Sequence, residues 1–275
     1  MFLLRRYIIK FSYLLIFAIN PIHAAFDHFP SSPQSIGMGH LVLTSNVHPT
    51  DGLRFPSALA RMKSLEGSIL WGNRYGIKDL GHQSASVNIF AFDMGLNFGY
   101  SQFGNSLYRE SITYLAAGKS IKERINLGIS IAGYNLSIKD YGSATALGIT
   151  TSWQIQLNDF LNWSGSLQNL NAPTIGDSSD PLPQIIHTGM SLVPYTNVTT
   201  VFGWEQDTEY SGRFKFGTAY QVFPWMDISA GFVSNPGQGT GGISIHINNF
   251  GIYYGTSTHP ELGLSHWFGM GYVAE

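Results

Sequence analysis

From Lys63 to the end of the chain, apolar and polar residues alternate with a period of two. In 94–102, Met94, Leu96, Phe98 and Tyr100 share one face and Gly95, Asn97, Gly99 and Ser101 the other. In 125–132, Ile125, Leu127, Ile129 and Ile131 oppose Asn126, Gly128, Ser130 and Ala132. The pattern repeats at 147–155, at 243–248 and in the final segment, where Leu262, Leu264, Phe268, Met270 and Tyr272 oppose Gly263, Ser265, Gly269 and Gly271. Side chains of a strand point alternately to its two faces, so each segment predicts a strand with one oily and one polar side.

Fourteen such segments can be placed: 63–74, 82–91, 93–103, 108–119, 124–138, 143–156, 159–169, 184–192, 196–206, 212–222, 225–234, 239–247, 249–258 and 262–273. Most are of order 10 residues, the length a tilted strand needs to cross a bilayer. With the first strand outbound, short turns fall at 92, 120–123, 157–158, 193–195, 223–224 and 248, all on the inner side. The longest connection, Leu170 to Pro183, carries Asp177 and Asp180 and falls on the outer side. Short inner turns and longer outer loops are the asymmetry of bacterial outer-membrane barrels. The sequence therefore predicts an all-β, 14-stranded antiparallel transmembrane β-barrel over 63–275.

Residues 25–62 lack this period. They are irregular, with Pro30, Pro33, Gly37-Met38-Gly39 and Asp51-Gly52, and predict one short helix at Pro56–Met62. Yet they carry Ile36, Met38, Leu41, Val42, Leu43 and Leu59, which would be costly to expose. The segment is expected to fold back into the lumen as a plug that includes Gly37, Met38, Gly39 and His40, with Gly37 and Gly39 letting its backbone pass close to the wall or adopt positive φ. Before it, Arg5, Arg6 and Lys10 flank the apolar run Ile8–Ile19, and a small-residue break follows at Ala24. These are the parts of a secretory signal, so 1–24 is expected to be removed and the mature chain exported.

Composition agrees. Charged residues make up 12%, against about 25% in soluble domains, while Phe, Tyr, Trp and Gly are abundant. A soluble β-sandwich would carry charge on its wet face; here that face is mostly Gly, Ser, Asn and Thr. Trp71, Tyr108, Trp153, Trp204, Trp225 and Tyr254 sit near predicted strand ends, as an interfacial aromatic girdle requires. Without the three signal cations, 12 Lys and Arg face 17 Asp and Glu, a net charge of −5, which argues against nucleic acid as a partner. There is no Cys, hence no disulfide and no thiol chemistry.

Motifs of other chemistries do not survive their context. Gly237-Gln238-Gly239-Thr240-Gly241-Gly242 spells a dinucleotide pattern, but a strand follows where a helix is needed. Gly118-Lys119-Ser120 has Thr113 in place of the first glycine of a phosphate loop. Ser244 and His246 share a face, but at two residues' spacing their Cβ atoms are about 7 Å apart, too far for a nucleophile and its base. The nine histidines form no metal-ligand spacing. No catalytic residue, metal or cofactor is predicted, and the chain is read as no enzyme.

Several landmarks, in order and spacing, resemble a known group. Ser35-Ile36-Gly37-Met38-Gly39, then Asp51, then Phe55-Pro56-Ser57-Ala58-Leu59-Ala60 resembles the opening of PorV/PorQ-type barrels, relatives of the FadL hydrophobic-compound channels. Leu167–Pro173, Leu182-Pro183 with Gly189-Met190-Ser191, and Thr258–His266 look like that group's middle strands and last hairpin. His40 stands where a small residue is usual, and Phe55 where Asn precedes the Pro. The resemblance implies a 14-stranded barrel with an N-terminal plug in the outer membrane, partnered by lipid and the barrel-insertion machinery. Its role would be passage of apolar small molecules, or service to exported proteins in secretion. The clearest charges expected on the inward face are Asp93, Glu205, Arg213, Lys215, Asp227 and His246.

Overall fold

The computed structural model describes residues 25–26, 31–42, 48–176, 181–208 and 210–274. The expected signal at 1–24, plug positions 27–30 and 43–47, and Asp177 and Asp180 of the long outer connection lie outside the described residues.

Fourteen antiparallel strands close on themselves, each paired with its sequence neighbours and the last with the first. They are β1 (Leu65–Asn73), β2 (Gly81–Ala91), β3 (Met94–Gly104), β4 (Tyr108–Lys122), β5 (Ile125–Ile138), β6 (Gly142–Asn158) and β7 (Leu161–Gln168). The second half comprises β8 (Ile185–Tyr195), β9 (Val198–Asp207), β10 (Arg213–Phe223), β11 (Met226–Val233), β12 (Gln238–Ile247), β13 (Phe250–His259) and β14 (Gly263–Ala274). Closure runs from Leu65 opposite Ala274 to Asn73 opposite His266. A closed ladder leaves no edge of N–H and C=O groups, the condition lipid imposes on a sheet.

The inner connections are pairs of residues, such as Phe92-Asp93 between β2 and β3. Phe92 (φ 55°) and Asp93 (φ 59°) both take the left-handed region, as the favoured two-residue hairpin turn demands. Asp93 is therefore not on the inward face of a strand. It sits at an exposed turn, 3.5 Å from Lys119.

Alternation fixes the two faces. Ile131 is 47% exposed on the outside, whereas its neighbours in β5, Ala132 (2%) and Tyr134 (1%), are buried inside. Phe98, Leu115, Ile243, Ile252, Leu264 and Phe268 lie on the same outer band. Tryptophans mark its margins: the exposed Trp71 stacks on Phe268 and Trp225 on Phe223, and the half-buried Trp153 meets Trp163 edge to face. Tyr108 departs from the expected girdle. It faces inward and donates to Glu110 Oε1 at 2.6 Å, because it shares that residue's parity on β4.

The register carries a direct test. Ile243, opposite Ile228 and Tyr254, faces outward near the middle of β12. Ile243→Arg is expected to cost about 2–4 kcal/mol in unfolding from lipid vesicles. His246→Ala, on the other face and half-exposed beside Asp227, should cost less than about 1 kcal/mol. Equal losses would contradict the assigned faces.

The N-terminal segment lies inside the barrel. It contains α1 (Pro33–Gly37), a 3-10 turn at Pro49–Asp51 and a 3-10 helix at Pro56–Arg61 where the short helix was expected. Ser32 caps α1 by accepting from the Ser35 N–H at 3.1 Å. Phe26, Leu53 and Leu59 pack with Ile112, Tyr114, Ala116 and Tyr134, so the inward face of β4 is apolar where this segment covers it.

A lumenal site between the N-terminal segment and the outer rim

Inward glycines seat the segment. A methyl group at Gly217 or Gly231 would overlap the backbone of Met38 and Gly39, and one at Gly255 would overlap Pro33. At Gly95, Gly118 and Gly128 it would overlap Pro56–Ala60. Two chains approach this closely only where one lacks a side chain. Thr240 Oγ1 ties the first contact, accepting from the Gly39 N–H at 3.0 Å and donating to the Gly37 carbonyl at 3.0 Å. Ser152 Oγ accepts from the Ser57 N–H at 2.7 Å, and Ser130 donates to the Leu53 carbonyl at 2.8 Å. Within the segment, the buried Asp51 carboxylate accepts from the Ser32 N–H (2.9 Å), the Ser32 hydroxyl (2.6 Å) and the Ser35 hydroxyl (3.4 Å).

All four plug positions named from sequence fall at this contact. Gly37 and Gly39 lie against β10–β12, Met38 is buried with Phe55 and Val201, and His40 takes φ 59° with its ring edge-on to Trp267 at 6.2 Å. Burial, with Lys215 and Arg54 nearby, holds the His40 imidazole down at about 3, so it is neutral at pH 7.

Above the segment an outward-facing cavity of about 540 Å³ remains, reached from the outer loops through Tyr75, Tyr210 and His259. Its floor is an ion cluster. Glu205 on β9 is buried and accepts from Lys215 Nζ on β10 at 2.5 Å. His187 Nδ1 on β8 lies at 3.2 Å, Arg213 Nη1 at 3.8 Å and Arg54 Nη2 at 3.8 Å. Arg54 comes from the N-terminal segment and is held by Ser31 Oγ at 2.5 Å. One carboxylate thus joins three strands and the segment, and desolvation makes each of these attractions stronger than at a surface.

Of the six inward charges expected from sequence, Glu205, Arg213 and Lys215 meet here. Asp227 and His246 pair separately at 3.4 Å at the inner ends of β11 and β12, and Asp93 lies at its turn. Arg54 and His187 were not anticipated. Among the described residues no group of His, Asp or Glu is arranged to hold a metal ion.

No curated protein and no protein-family profile matches the sequence. Solved structures do. The Ralstonia pickettii toluene transporter TbuX superposes with a TM-score of 0.71 at 12% identity, covering 91% of this chain and 100% of that one. The CymD monoaromatic hydrocarbon channel gives 0.71 at 12% identity, covering 91% and 99%. A Pseudomonas aeruginosa FadL homologue gives 0.62 at 8%, covering 88% and 97%. The chain has the fold of the FadL-type channels. At these identities the likeness extends to strand number, closure and overall course, and not to side chains in the lumen.

Proposed function

We propose that this protein is a passive channel of the bacterial outer membrane for small hydrophobic molecules, with its N-terminal segment as a removable hatch. The observation that carries the reading is the seating of that segment. It fills the closed lumen through backbone contacts against a row of glycines, and it leaves above it a cavity open to the outer side. None of these contacts is a rung of the barrel's own ladder, so the hatch can leave without unmaking it. The shared fold with toluene and monoaromatic channels supports an apolar cargo, and Ile36, Ile185, Val233 and Trp267 give the cavity an apolar side.

Deleting 26–55 is expected to raise ion conductance in planar bilayers, and flux into liposomes, at matched insertion. The barrel itself should still insert, since its ladder is complete from β1 to β14. Unchanged conductance would remove the hatch from the mechanism. It would favour instead a secretion role of the PorV/PorQ type, in which the barrel serves exported proteins.

A further inference from the structure

The ion cluster at the cavity floor is unbalanced. Lys215 already hydrogen-bonds Glu205, while Arg54 and Arg213 stand 3.8 Å from its two oxygens, beyond hydrogen-bond reach. The enclosed Nε–H of Arg54 finds no acceptor among the described residues. Beyond Glu205, the contact of the Arg213 guanidinium among the described residues is the ring of Tyr210, 5.6 Å away. The other described carboxylate lining the cavity is Asp207, and Arg74 lines it as well. Among the described residues, then, neither guanidinium has a carboxylate within hydrogen-bond reach, and the buried Asp51 acts on Arg54 only at longer range. Buried cations need anions, and a guanidinium pair is suited to a carboxylate held through several N–H groups at once.

The same cavity has a second character. Ile36, Ile185, Val233 and the buried ring of Trp267 line it beside the cations. A bare inorganic anion would leave that surface wet, and a neutral hydrocarbon would leave both guanidinium groups unpaired.

We propose that the cavity is a binding site for a small aromatic carboxylate, its carboxylate between Arg54 and Arg213 and its ring against Trp267 and the aliphatic side chains. This deepens the channel reading by naming a cargo class, and it rests on that reading only for the claim that the bound molecule then crosses.

The test is calorimetric titration of the full chain folded in detergent, with benzoate, benzyl alcohol and acetate as probes. Benzoate is expected to bind saturably and at least about tenfold tighter than either of the others, with affinity falling as salt is raised. Arg213→Gln should weaken benzoate about tenfold and leave benzyl alcohol unchanged, with Arg213→Lys intermediate because a point charge cannot grip both oxygens. Arg213 is 31% exposed, so its loss spares the Lys215–Glu205 pair; Arg54→Gln is the second variant, and heat-modifiable gel mobility confirms folding of each. Equal affinity for benzoate and benzyl alcohol, no saturable benzoate binding, or indifference to both substitutions would overturn the site. Benzoate binding by the full chain, with no rise in conductance after deletion of 26–55 (which also removes Arg54), would keep the site and overturn the channel.

Discussion

Gly128→Leu is expected to expel the N-terminal segment from the lumen while the strands still insert. The position a Cβ would take at Gly128 coincides with the peptide joining Pro56 to Ser57, which neighbouring Ser152 also holds. Backbone cannot swing aside as a side chain can. A well-filled site that must accept a whole added side chain loses about 1–3 kcal/mol or more, and the cheapest relief is release of the segment. Trypsin reads the result, because Arg54 is buried and Arg61 is half-buried in the docked segment. Cleavage after both should become rapid in the variant and stay slow in the parent. Gly133, which faces outward with ordinary space around it, supplies the control: Gly133→Leu should leave the segment protected. Protection of the Gly128→Leu chain equal to that of the parent would show that the glycine row does not seat the segment.

The second large effect is expected at Glu205. Glu205→Ala removes the one carboxylate that Lys215, Arg213, Arg54 and His187 share. Stripping the partner from buried charges costs about 3–5 kcal/mol, whereas removing both members of a pair together costs far less. Equilibrium urea unfolding from vesicles should show a loss of that size for Glu205→Ala. Part of it should return in Glu205→Leu combined with Lys215→Met. A loss below about 1 kcal/mol would mean that water, not Glu205, neutralises the cluster.

The strands were legible because one rule governs them all. Lipid outside forces an apolar residue at every second position, and Phe98, Ile131, Ile243 and Phe268 each sit where that rule put them. The rule weakens where lipid is not the partner. On β4, Ile112 and Tyr114 face inward against Leu53, Leu59 and Phe26, so apolar side chains occupy the face that elsewhere is polar. Asp93 was misplaced for a different reason. Counting a one-residue turn at Phe92 missed that a tight hairpin takes two residues of positive φ, and that Asp is a good second one.

Three of the five members of the ion cluster are readable in the sequence. Glu205, Arg213 and Lys215 have the right parity on neighbouring strands, and a single hairpin sets Arg213 opposite Glu205. His187 faces Glu205 across β8 and β9, a pairing that depends on the register of a bulged hairpin. Arg54 arrives from a segment with no period, over a contact 151 residues apart in sequence. Nothing local encodes that meeting. What points to Arg54 is the burial expected of its segment: a cation taken into the lumen calls for an anion on the wall.

The seating of α1 has a bearing on the order in which the molecule is assembled. α1 is synthesised first, but its seat is made by the strands synthesised last: Thr240 is 201 residues from Gly39, and Pro33 rests on glycines of β13 and β14. A loop of that length gains nothing from early contact, because both ends must be fixed before any bond forms between them. Pro56–Ala60 can settle on the glycines of β3–β5 earlier, but α1 has its seat only once β14 has found β1. A chain whose last hairpin stays unpaired offers Pro33 nowhere to rest, so protection of α1 from protease would report, in a single cut, whether the circle has closed.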